Sequence, residues 1–394
     1  MDFRDTTEEA AFRDEVRAFL RQELPGGWQG ETDPREQRAD GEERYQQWMK
    51  KLASRGWIAP AWPKEYGGAG LSVKEQFVFN EEMARARAPR PGGIGVGMAG
   101  PTIIVYGTDE QKQQHLSGIL SGEVTWCQLY SEPGAGSDLA ALQTRAVRDG
   151  DDYVVNGQKI WTSGAHRAQR GILLARTDPD APKHKGISYF LLDMKTPGIS
   201  IRPLVNMAGT HEFNEVFFDN VRIPKRDLLG EENRGWYMAT TTLDFERSSI
   251  GNAVGMEQMV EDLLNFVHAN RNEPFMAVGH TPSVRYELAD RRIEVAVAML
   301  MSYRIITMQS QGMIPNHEAS CAKLFSTELT QRIARTGLKL IGTYGQLERG
   351  SPWAPLRGRF ERMYLRSVSA TIAGGTSEIQ RNIIAMRGLG LPRG

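Results

Sequence analysis

The sequence has few cysteines and no arrangement of side chains that suits a metal. Its 394 residues include two cysteines, Cys127 and Cys321, with no CxxC motif or Cys/His cluster near either one. The seven histidines show neither an HExxH motif nor another paired-ligand spacing. The sequence therefore predicts no disulfide framework and no metal site, and it favours a reducing compartment.

Net charge and long apolar runs are also missing. Lys and Arg number 48 and so do Asp and Glu, which gives a formal net charge of zero. This balance argues against nucleic acid or an anionic membrane as the main target. The longest uncharged run, residues 91–108, is broken by glycines and Pro101, and the N-terminus is charged from its second residue. Neither a membrane span nor a secretory signal is predicted, so we expect a soluble, cytoplasmic protein.

Apolar residues make up 40% of the chain, and their periodicity changes twice along it. Residues 1–122 follow mainly the helical period, residues 123–233 form short runs rich in β-branched and aromatic side chains, and residues 234–394 return to long helical patterns. The predicted fold class is α+β. It consists of an N-terminal helical domain, a middle β-sandwich or barrel-like domain, and a C-terminal helical bundle.

Local signals predict the boundaries of individual elements. Thr6 and Glu9 form a potential capping box at the start of a helical pattern over residues 6–24. The dipeptide Asn156–Gly157 is a strong signal for a two-residue hairpin between two strands. The other predicted helices cover residues 43–55, 72–87, 109–120, 236–269, 282–311, 316–341 and 377–387.

A polar, glycine-rich loop, QLYSEPGAGSDLA at residues 128–140, follows a predicted strand. Gly134 and Gly136 allow backbone N–H groups to approach a ligand closely, while Ser131 and Ser137 add hydroxyl groups. Such a loop can hold a phosphate or the edge of a cofactor. Taken alone, the pattern is more typical of an ordinary surface loop.

The segment KIWTSGAH, residues 159–166, is predicted to lie on the strand after the hairpin. Trp161 could cover a planar ligand, and Thr162 and Ser163 could form hydrogen bonds with its edge. An aromatic side chain packed between the sheet and the helices explains this segment more simply.

Glu246, in the segment LDFERSSIG, is the candidate general base. It lies three residues after Leu243 and four before Ile250, which places it on the apolar stripe of a predicted helix. Burial there raises the pKa of an unpaired carboxyl toward a value useful for a base. A glutamate at the margin of the stripe, solvated or paired with an arginine, fits the spacing equally well.

The last candidate segment begins at residue 371 and reads TIAGGTSEIQRNII before the chain end. Gly374 and Gly375 precede a predicted helix, and Ser377 with Gln380 can form a capping box. A helix N-terminus preceded by glycines can bind an anion. The commoner use of this pattern is simply to begin a helix.

Taken together and in this order, these segments resemble the acyl-CoA dehydrogenase family. The runs LYSEPGAGSDLA, IWTSG and AGGTSEIQRNII are similar to three signatures of that family. The resemblance covers nearly the whole chain and includes the order of helical, β and helical domains.

The resemblance implies a bound FAD, held between the middle and C-terminal domains with help from a neighbouring subunit. The residues that it places beside the flavin or the thioester are Gln128, Tyr130, Ser131, Gly136 and Ser137. The residues that match the segment flanking the isoalloxazine ring are Trp161, Thr162 and Ser163. Thr376 and Glu378 match positions near the ribityl and phosphate region.

The implied reaction is α,β-dehydrogenation of an acyl-CoA thioester to the trans-2-enoyl-CoA, with electrons passed to an electron-transfer flavoprotein. Many family members carry the base at the position of Gly374 in this chain. A branch that includes isovaleryl-CoA and long-chain enzymes instead uses a glutamate on a helix of the C-terminal domain, and Glu246 matches it. Ser137, Asp244 and Arg247 match positions near the acyl-CoA substrate. The acyl group itself stays open among straight, branched and sterol-derived chains.

Two departures from the family pattern concern the neighbouring subunit's grip on FAD. Residues 269–285 lack the usual Arg followed by Phe-Gly, and Lys339 stands where Gln is usual in the segment LKLIGTYGQL. Bacterial relatives with such features include subunits of heterotetramers that degrade steroid side chains or dicarboxylic acids. The departures favour a heterotetramer with a paralogous subunit, and a homodimer or homotetramer is the alternative.

Three functions compete at this stage. A catalytic acyl-CoA dehydrogenase subunit is favoured, because a purely structural partner needs no base at position 246. The alternative from another class is a non-catalytic subunit that completes the FAD site of a heteromeric enzyme. A related flavin oxidase or monooxygenase would require oxygen to reach the reduced flavin.

Overall fold

The computed structural model describes residues 4–26, 40–244, 250–272 and 281–392. The chain divides into two compact units. The helical unit contains Met1–Ala39, Ser72–Pro89 and Ser248–Gly394, and the sheet unit contains Asp40–Leu71 and Arg90–Arg247. Within the described ranges, no helix is both long and apolar enough to cross a membrane.

The helices are numbered in chain order: α1 (Thr7–Glu23), α2 (Gly41–Ala53), α3 (Val73–Arg85), α4 (Gly100–Tyr106), α5 (Asp109–Leu120), α6 (Gly235–Asp244), α7 (Ile250–Ala269), α8 (Pro282–Ser310), α9 (His317–Ile341), α10 (Arg359–Ala370) and α11 (Ser377–Ile383). The strands are β1 (Trp126–Leu129), β2 (Arg145–Asp149), β3 (Asp152–Lys159), β4 (Arg170–Arg176), β5 (Ile187–Asp193), β6 (Ile199–Val205), β7 (His211–Pro224) and β8 (Leu228–Leu229). The predicted order of helical, β and helical segments is confirmed.

In the helical unit, α1 is capped as predicted and is tied to α3 by charged groups. The Thr6 hydroxyl accepts a hydrogen bond from Glu9 N at 3.2 Å, and the Glu9 carboxylate accepts one from Thr6 N at 3.0 Å. Arg13 of α1 contacts the buried carboxylates of Glu81 and Glu82 on α3 at 2.8 and 2.7 Å. Buried charges are costly unless paired, so Arg13 specifies how the two helices pack. The apolar core of this unit includes Met256, Val260, Leu263, Val295, Leu329, Ile333 and Phe360.

Helix α10 is an element that the sequence analysis missed. Its residues Phe360 and Met363, three positions apart, pack on the core of the helical unit, so a helical period was present in the sequence. The ring of Phe360 lies over Gly337 of α9, where an added Cβ would come within 2.2 Å of a ring carbon. A glycine at residue 337 therefore permits the close contact between α9 and α10, which the local pattern does not show.

The sheet unit is built on one hydrogen-bonded sheet. Its strand order is β6-β7-β3-β2-β4-β5-β8, with β1 paired in parallel to β4, so that β6 and β8 form the two edges. Successive residues of a strand point to opposite faces, and each face here carries its own apolar core. One core contains Leu129, Leu173, Phe190 and Val216. The other contains residues from the strands and from α4, α5 and α6: Ile172, Leu191, Ile103, Leu116 and Met238.

The predicted hairpin at Asn156–Gly157 is wrong. These residues lie inside the continuous strand β3, at an irregularity in its pairing with β7. The turn instead falls at residues 150 and 151, where Asp149 and Asp152 pair across the end of β2 and β3 and Gly150 has φ +62°. Pairing of β3 with both neighbouring strands outweighs the local turn preference of the Asn-Gly dipeptide.

Gly157→Ala is expected to destabilise the sheet unit by about 3 kcal/mol or more, through backbone strain and overpacking. Gly157 has φ +150°, and an added Cβ would lie 2.5 Å from Thr144 Oγ1 and 2.7 Å from Thr144 Cα. Gly150→Ala is the matched control. Its φ is again positive, but none of the residues that the structure describes comes within 4 Å of the added Cβ, so a loss of about 1–2 kcal/mol is expected. Urea unfolding of both variants measures the difference, and equal losses would contradict the steric argument.

His115 of α5 is a buried histidine in the sheet unit. Its ring packs edge-on against Trp126 with centroids 5.4 Å apart, and among the described residues its Nε2 has no hydrogen-bond partner. Burial, and then the charge of Arg170, lower the pKa of the imidazole from 6.5 to about 4. His115 is therefore held in its neutral form at neutral pH.

Acid is expected to destabilise the sheet unit through His115. Between pH 6.5 and 4 the unfolded state binds a proton that the folded state does not, so stability falls as the pH falls through this window. The loss from pH 7 to pH 5 is about 2 kcal/mol at most. His115→Phe keeps a ring beside Trp126 but cannot titrate, so its stability should depend less on pH than that of the wild type. Equal pH dependence of urea unfolding in the two proteins would contradict this assignment.

Candidate active site

The glycine-rich loop begins where β1 ends at Leu129. Backbone bonds between Glu132 and Ala135, at 3.0 and 3.1 Å, close a tight turn within it. Tyr130 is buried, whereas Gly136 and Ser137 are exposed. A Cβ added to Gly136 would meet no described atom within 4 Å, so no packing contact in the described part of the chain requires a glycine there. The exposed part of the loop is therefore open to a ligand.

The segment KIWTSGAH at residues 159–166, called the Trp161 segment from here on, continues from β3 into a loop. Its predicted placement on a strand is wrong. Strand β3 ends at Lys159, and Trp161 turns the chain away with φ +61°. Its side chain is 58% exposed and touches Phe213 edge-on, so it is not packed away inside the sheet unit. Ile160 N donates to Ser131 O at 2.9 Å, which brings this segment beside the glycine-rich loop. Two candidate segments from separate parts of the sequence thus meet.

Thr162 is held by a polar cluster beneath the segment. Its backbone N–H donates to Asn214 O at 3.0 Å, and its carbonyl accepts from Asn214 Nδ2 at 2.9 Å. The buried Asn214 side chain also contacts the stacked rings of His166 and His211. Thr162 Oγ1 is buried and has no partner among the residues that the structure describes. A buried hydroxyl normally forms a hydrogen bond, so Thr162 Oγ1 is a donor available to a ligand.

A buried ion pair lies under both segments, and the sequence analysis missed it. Lys159 Nζ contacts Glu132 Oε1 at 2.8 Å and donates to Tyr130 O at 2.9 Å. Burial lowers the pKa of Lys159 to about 8, against the opposing effect of the Glu132 charge. Burial also raises the pKa of Glu132, but Lys159 and the backbone donors outweigh it and hold this pKa below its usual value. The available signal was a charged residue in each motif, Glu132 within the glycine-rich loop and Lys159 at the start of KIWTSGAH.

In the helical unit, the two glycines before α11 are fixed from α9 and α11. Lys323 Nζ donates to Gly375 O at 2.6 Å, and Gln380 Nε2 donates to Gly374 O at 3.0 Å. Thr376 is the N-cap, since its hydroxyl accepts from Ile379 N at 3.2 Å. The predicted capping box of Ser377 and Gln380 is therefore wrong by one residue, because Gln380 is used to hold the glycine loop.

Thr376 and Glu378 line a cavity of about 430 Å³ within the helical unit. Three cations also line it: Arg332, Arg335 and Arg381. Ser377 Oγ is buried beside this cavity and has no partner in the described ranges. Guanidinium and hydroxyl groups are donors to anionic oxygens. Two of these arginines already form ion pairs, Arg381 with Glu328 of the cavity wall and Arg332 with Glu294.

The proposed base follows the end of α6 in the sequence. Glu246 and Arg247 lie outside the described residues, and Asp244 is the last residue of α6. The predicted helix over 236–269 is covered by α6 and α7, with residues 245–249 outside the described ranges. The apolar stripe that includes Glu246 is predicted to continue through Ala253, Val254, Val260 and Leu264. On α7 the first three of these are buried and Leu264 is half-buried.

The remaining site residues lie as follows. Gln128 and Ser131 are half-buried, while Ser163 is exposed. Both cysteines are free thiols, and the described ranges contain no group of three or more His, Cys, Asp or Glu that could hold a metal ion.

Known protein families and relatives match nearly the whole length of the chain. The models for the N-terminal, middle and C-terminal domains of acyl-CoA dehydrogenases match residues 6–123, 127–221 and 233–389. The chain is 38% identical over 388 residues to the acyl-CoA dehydrogenase IpdE1 of Mycobacterium tuberculosis, covering 97% of each chain. It is 39% identical to the acyl-CoA dehydrogenase FadE26 of the same organism, covering 89% of this chain and 88% of the relative.

Solved structures of similar proteins agree with these sequence matches. A structure titled Tcur3481-Tcur3483 steroid ACAD is 36% identical, with a TM-score of 0.87 and full coverage of both chains. The ChsE4-ChsE5 complex from Mycobacterium tuberculosis also gives 36% identity, a TM-score of 0.87 and full coverage of both chains. The chain belongs to the acyl-CoA dehydrogenase family, whose enzymes are FAD-dependent flavoprotein oxidoreductases.

Proposed function

We propose that this chain is the catalytic subunit of a cytoplasmic, FAD-dependent enzyme that converts an acyl-CoA thioester to the trans-2-enoyl-CoA. One observation carries the proposal: each of the two units presents a predicted flavin segment with a buried hydroxyl that has no partner among the described residues. These hydroxyls are Thr162 Oγ1 and Ser377 Oγ. Both are next to residues that the family resemblance assigns to FAD.

The residues proposed to hold FAD are those of the three family motifs. In the sheet unit they are Gln128, Tyr130, Ser131, Gly136, Ser137, Trp161, Thr162 and Ser163, and in the helical unit they are Thr376 and Glu378. When bound, FAD accepts the hydride equivalent that leaves the β-carbon of the substrate. The arginines around Thr376 supply positive charge toward phosphate oxygens.

Glu246 is proposed to take the α-proton of the substrate on a carboxylate oxygen. The thioester carbonyl acidifies that proton, and the protein must supply a base within hydrogen-bonding reach of it. Gly374 cannot do so because it has no side chain. Ser137, Asp244 and Arg247 are proposed to contact the substrate, with Arg247 as a cation beside the anionic CoA.

We further propose that a paralogous chain completes the enzyme. Lys339, which stands where the family usually has Gln, forms an ion pair with Glu287 of α8. The same helix carries Tyr286, Ile293 and Leu300 at seven-residue spacing, and these side chains are 72%, 64% and 47% exposed. An exposed apolar stripe of this kind marks a contact surface. Two structural relatives, Tcur3481-Tcur3483 and the ChsE4-ChsE5 complex, each carry the names of two different chains. This favours a heterotetramer over a homodimer or homotetramer.

The electron acceptor is proposed to be an electron-transfer flavoprotein. The alternative function is a half-site subunit that lacks catalysis of its own. A flavin oxidase or monooxygenase is disfavoured by a glutamate at position 246, since oxygen activation does not require that base.

The test is an anaerobic titration of the purified protein with straight-chain, branched and sterol-derived acyl-CoA thioesters, alone and with its partner chain. Bleaching of the flavin absorbance by one substrate class, and recovery of the colour on addition of oxidised electron-transfer flavoprotein, are expected. A flavoprotein that no thioester reduces would contradict dehydrogenation. Rapid recovery with oxygen alone would instead support the oxidase.

A further inference from the structure

We propose that the buried ion pair of Glu132 and Lys159 is a positioning device for the reaction. It holds the main chain at Tyr130 and Ser131 against the Trp161 segment, and it thereby sets the affinity for FAD and the rate of hydride transfer. The inference rests on the proposed function, because that function places the flavin beside these two segments. It concerns residues that themselves touch neither flavin nor substrate.

The contacts of the pair all lead to the glycine-rich loop or its continuation. Lys159 is completely buried, and its ammonium group bonds to Tyr130 O and Glu132 Oε1. The carboxylate of Glu132 accepts from Gln143 N at 2.6 Å and from Thr144 N at 2.9 Å. Glu132 therefore binds the two ends of the loop to each other, while Lys159 binds its first residues to β3.

Lys159 is also the link to the second segment. It is the last residue of β3, so Ile160 and Trp161 follow directly. The bond from Ile160 N to Ser131 O, one residue after the Tyr130 carbonyl, continues the same attachment. A shift of the Lys159 ammonium therefore moves both segments relative to each other.

Stability alone does not explain why this pair is charged. Replacing a buried ion pair by well-packed apolar side chains is often neutral or stabilising, whereas removing one partner is strongly destabilising. A charged pair also fixes geometry, which apolar side chains do not. The two hydrogen bonds of Lys159 hold the Tyr130 carbonyl and the Glu132 carboxylate in one arrangement. Misplacing reacting groups by about 1 Å can cost on the order of a hundredfold in rate.

The experiment compares Lys159→Met with the neutral double variant Glu132→Gln/Lys159→Met in the complete enzyme. The measurements are Tm, the dissociation constant of FAD, and kcat and KM for a reactive thioester. Lys159→Met should lower Tm strongly. The double variant should recover most of that Tm, because no unpaired charge is buried, yet bind FAD about tenfold more weakly and turn over more slowly, because nothing donates to Tyr130 O.

Arg176→Lys is the matched control, because it keeps the positive charge that acts on Glu132 and Lys159 while changing the hydrogen bonds to the loop. Arg176 donates from β4 to Ala140 O at 2.6 Å and to Leu142 O at 3.1 Å, at the far end of the same loop. The replacement should lower Tm while leaving the affinity for FAD and kcat within about threefold of the wild type, well below the cost of a lost charge-assisted hydrogen bond. Glu132→Gln alone keeps the Lys159 bond to Tyr130 O, so it should retain FAD better than Lys159→Met does. This comparison tests the inference without the double variant, should that variant not fold.

Two results would overturn the inference. One is a double variant that recovers FAD affinity and kcat together with Tm. The other is a loss of FAD affinity that follows the loss of Tm in the same way in all four variants, because the pair would then act through stability alone. In either case a wild-type protein that binds FAD leaves the proposed function standing. A complete wild-type enzyme that takes up no FAD would instead refute the proposed function itself.

Discussion

Glu246→Gln is expected to lower kcat by about 10²–10⁴-fold, the range in which general bases contribute to catalysis. Glutamine has nearly the same shape as glutamate but cannot accept the α-proton. FAD content and the affinity for acyl-CoA should stay close to those of the wild type, because neither depends on that proton transfer. Single-turnover reduction of the flavin, followed by absorbance after rapid mixing with substrate, measures the effect directly.

The control for this variant is Glu257→Gln. Glu257 lies on α7, the first described helix after Glu246, and pairs with Arg85 and Arg292 at 3.1 and 3.0 Å. Its replacement removes a carboxylate from the same region but should change flavin reduction by less than about twofold, because partly exposed ion pairs contribute little. Full reduction rates in Glu246→Gln would show that another group takes the proton. An equal loss in Glu257→Gln would show that the effect is not specific to the base.

The chain purified alone is expected to hold on the order of tenfold less FAD than the same chain expressed with its paralogous partner. The two segments that the family resemblance assigns to a neighbouring subunit's FAD contacts depart from the family pattern in this chain, and Lys339 is already paired with Glu287. One missing charge-assisted hydrogen bond costs roughly 1.5–3 kcal/mol, and about 1.4 kcal/mol is a tenfold change in affinity. Absorbance ratios of flavin to protein, combined with light scattering for subunit number, provide the measurement.

A homotetramer that retains one FAD per chain would sink the heteromeric proposal. Lys339→Gln is the informative variant for the chain alone, because it restores the residue that is usual in the family. It should raise FAD content only if the change at residue 339, rather than the altered segment at residues 269–285, limits binding. No gain from this variant would assign the loss to that other segment.

Elements with strong local signals were predictable from the sequence. Helix α5 has the predicted bounds of 109–120, and its cap Thr108 accepts a hydrogen bond from Gln111 N. The capping box of Thr6 and Glu9 was likewise visible because both partners lie within four residues. Such bonds depend only on neighbouring residues, so a linear pattern contains all the information they need.

Features made by contacts between distant residues were not predictable in this way. Asn156–Gly157 has the local chemistry of a turn, yet pairing with β7 keeps it inside β3. Glu132 and Lys159 are 27 positions apart, and only the folded sheet shows that they meet. In the candidate site, Thr162 was named as a possible hydrogen-bonding residue, but the structure was needed to show that its Oγ1 is buried and has no partner among the described residues.

The edges of the sheet limit how another chain can join it. Edge strand β6 contains Pro203, which has no backbone N–H, next to the charged Arg202, and edge strand β8 is two residues long. A strand from a second molecule needs a continuous row of backbone donors and acceptors, and neither β6 nor β8 offers a long one. Growth of the sheet from molecule to molecule, the usual start of fibrous aggregation, is therefore hindered at both ends. The heterotetramer proposed above would therefore form through side chains on helices and loops, which can distinguish one paralogous chain from another.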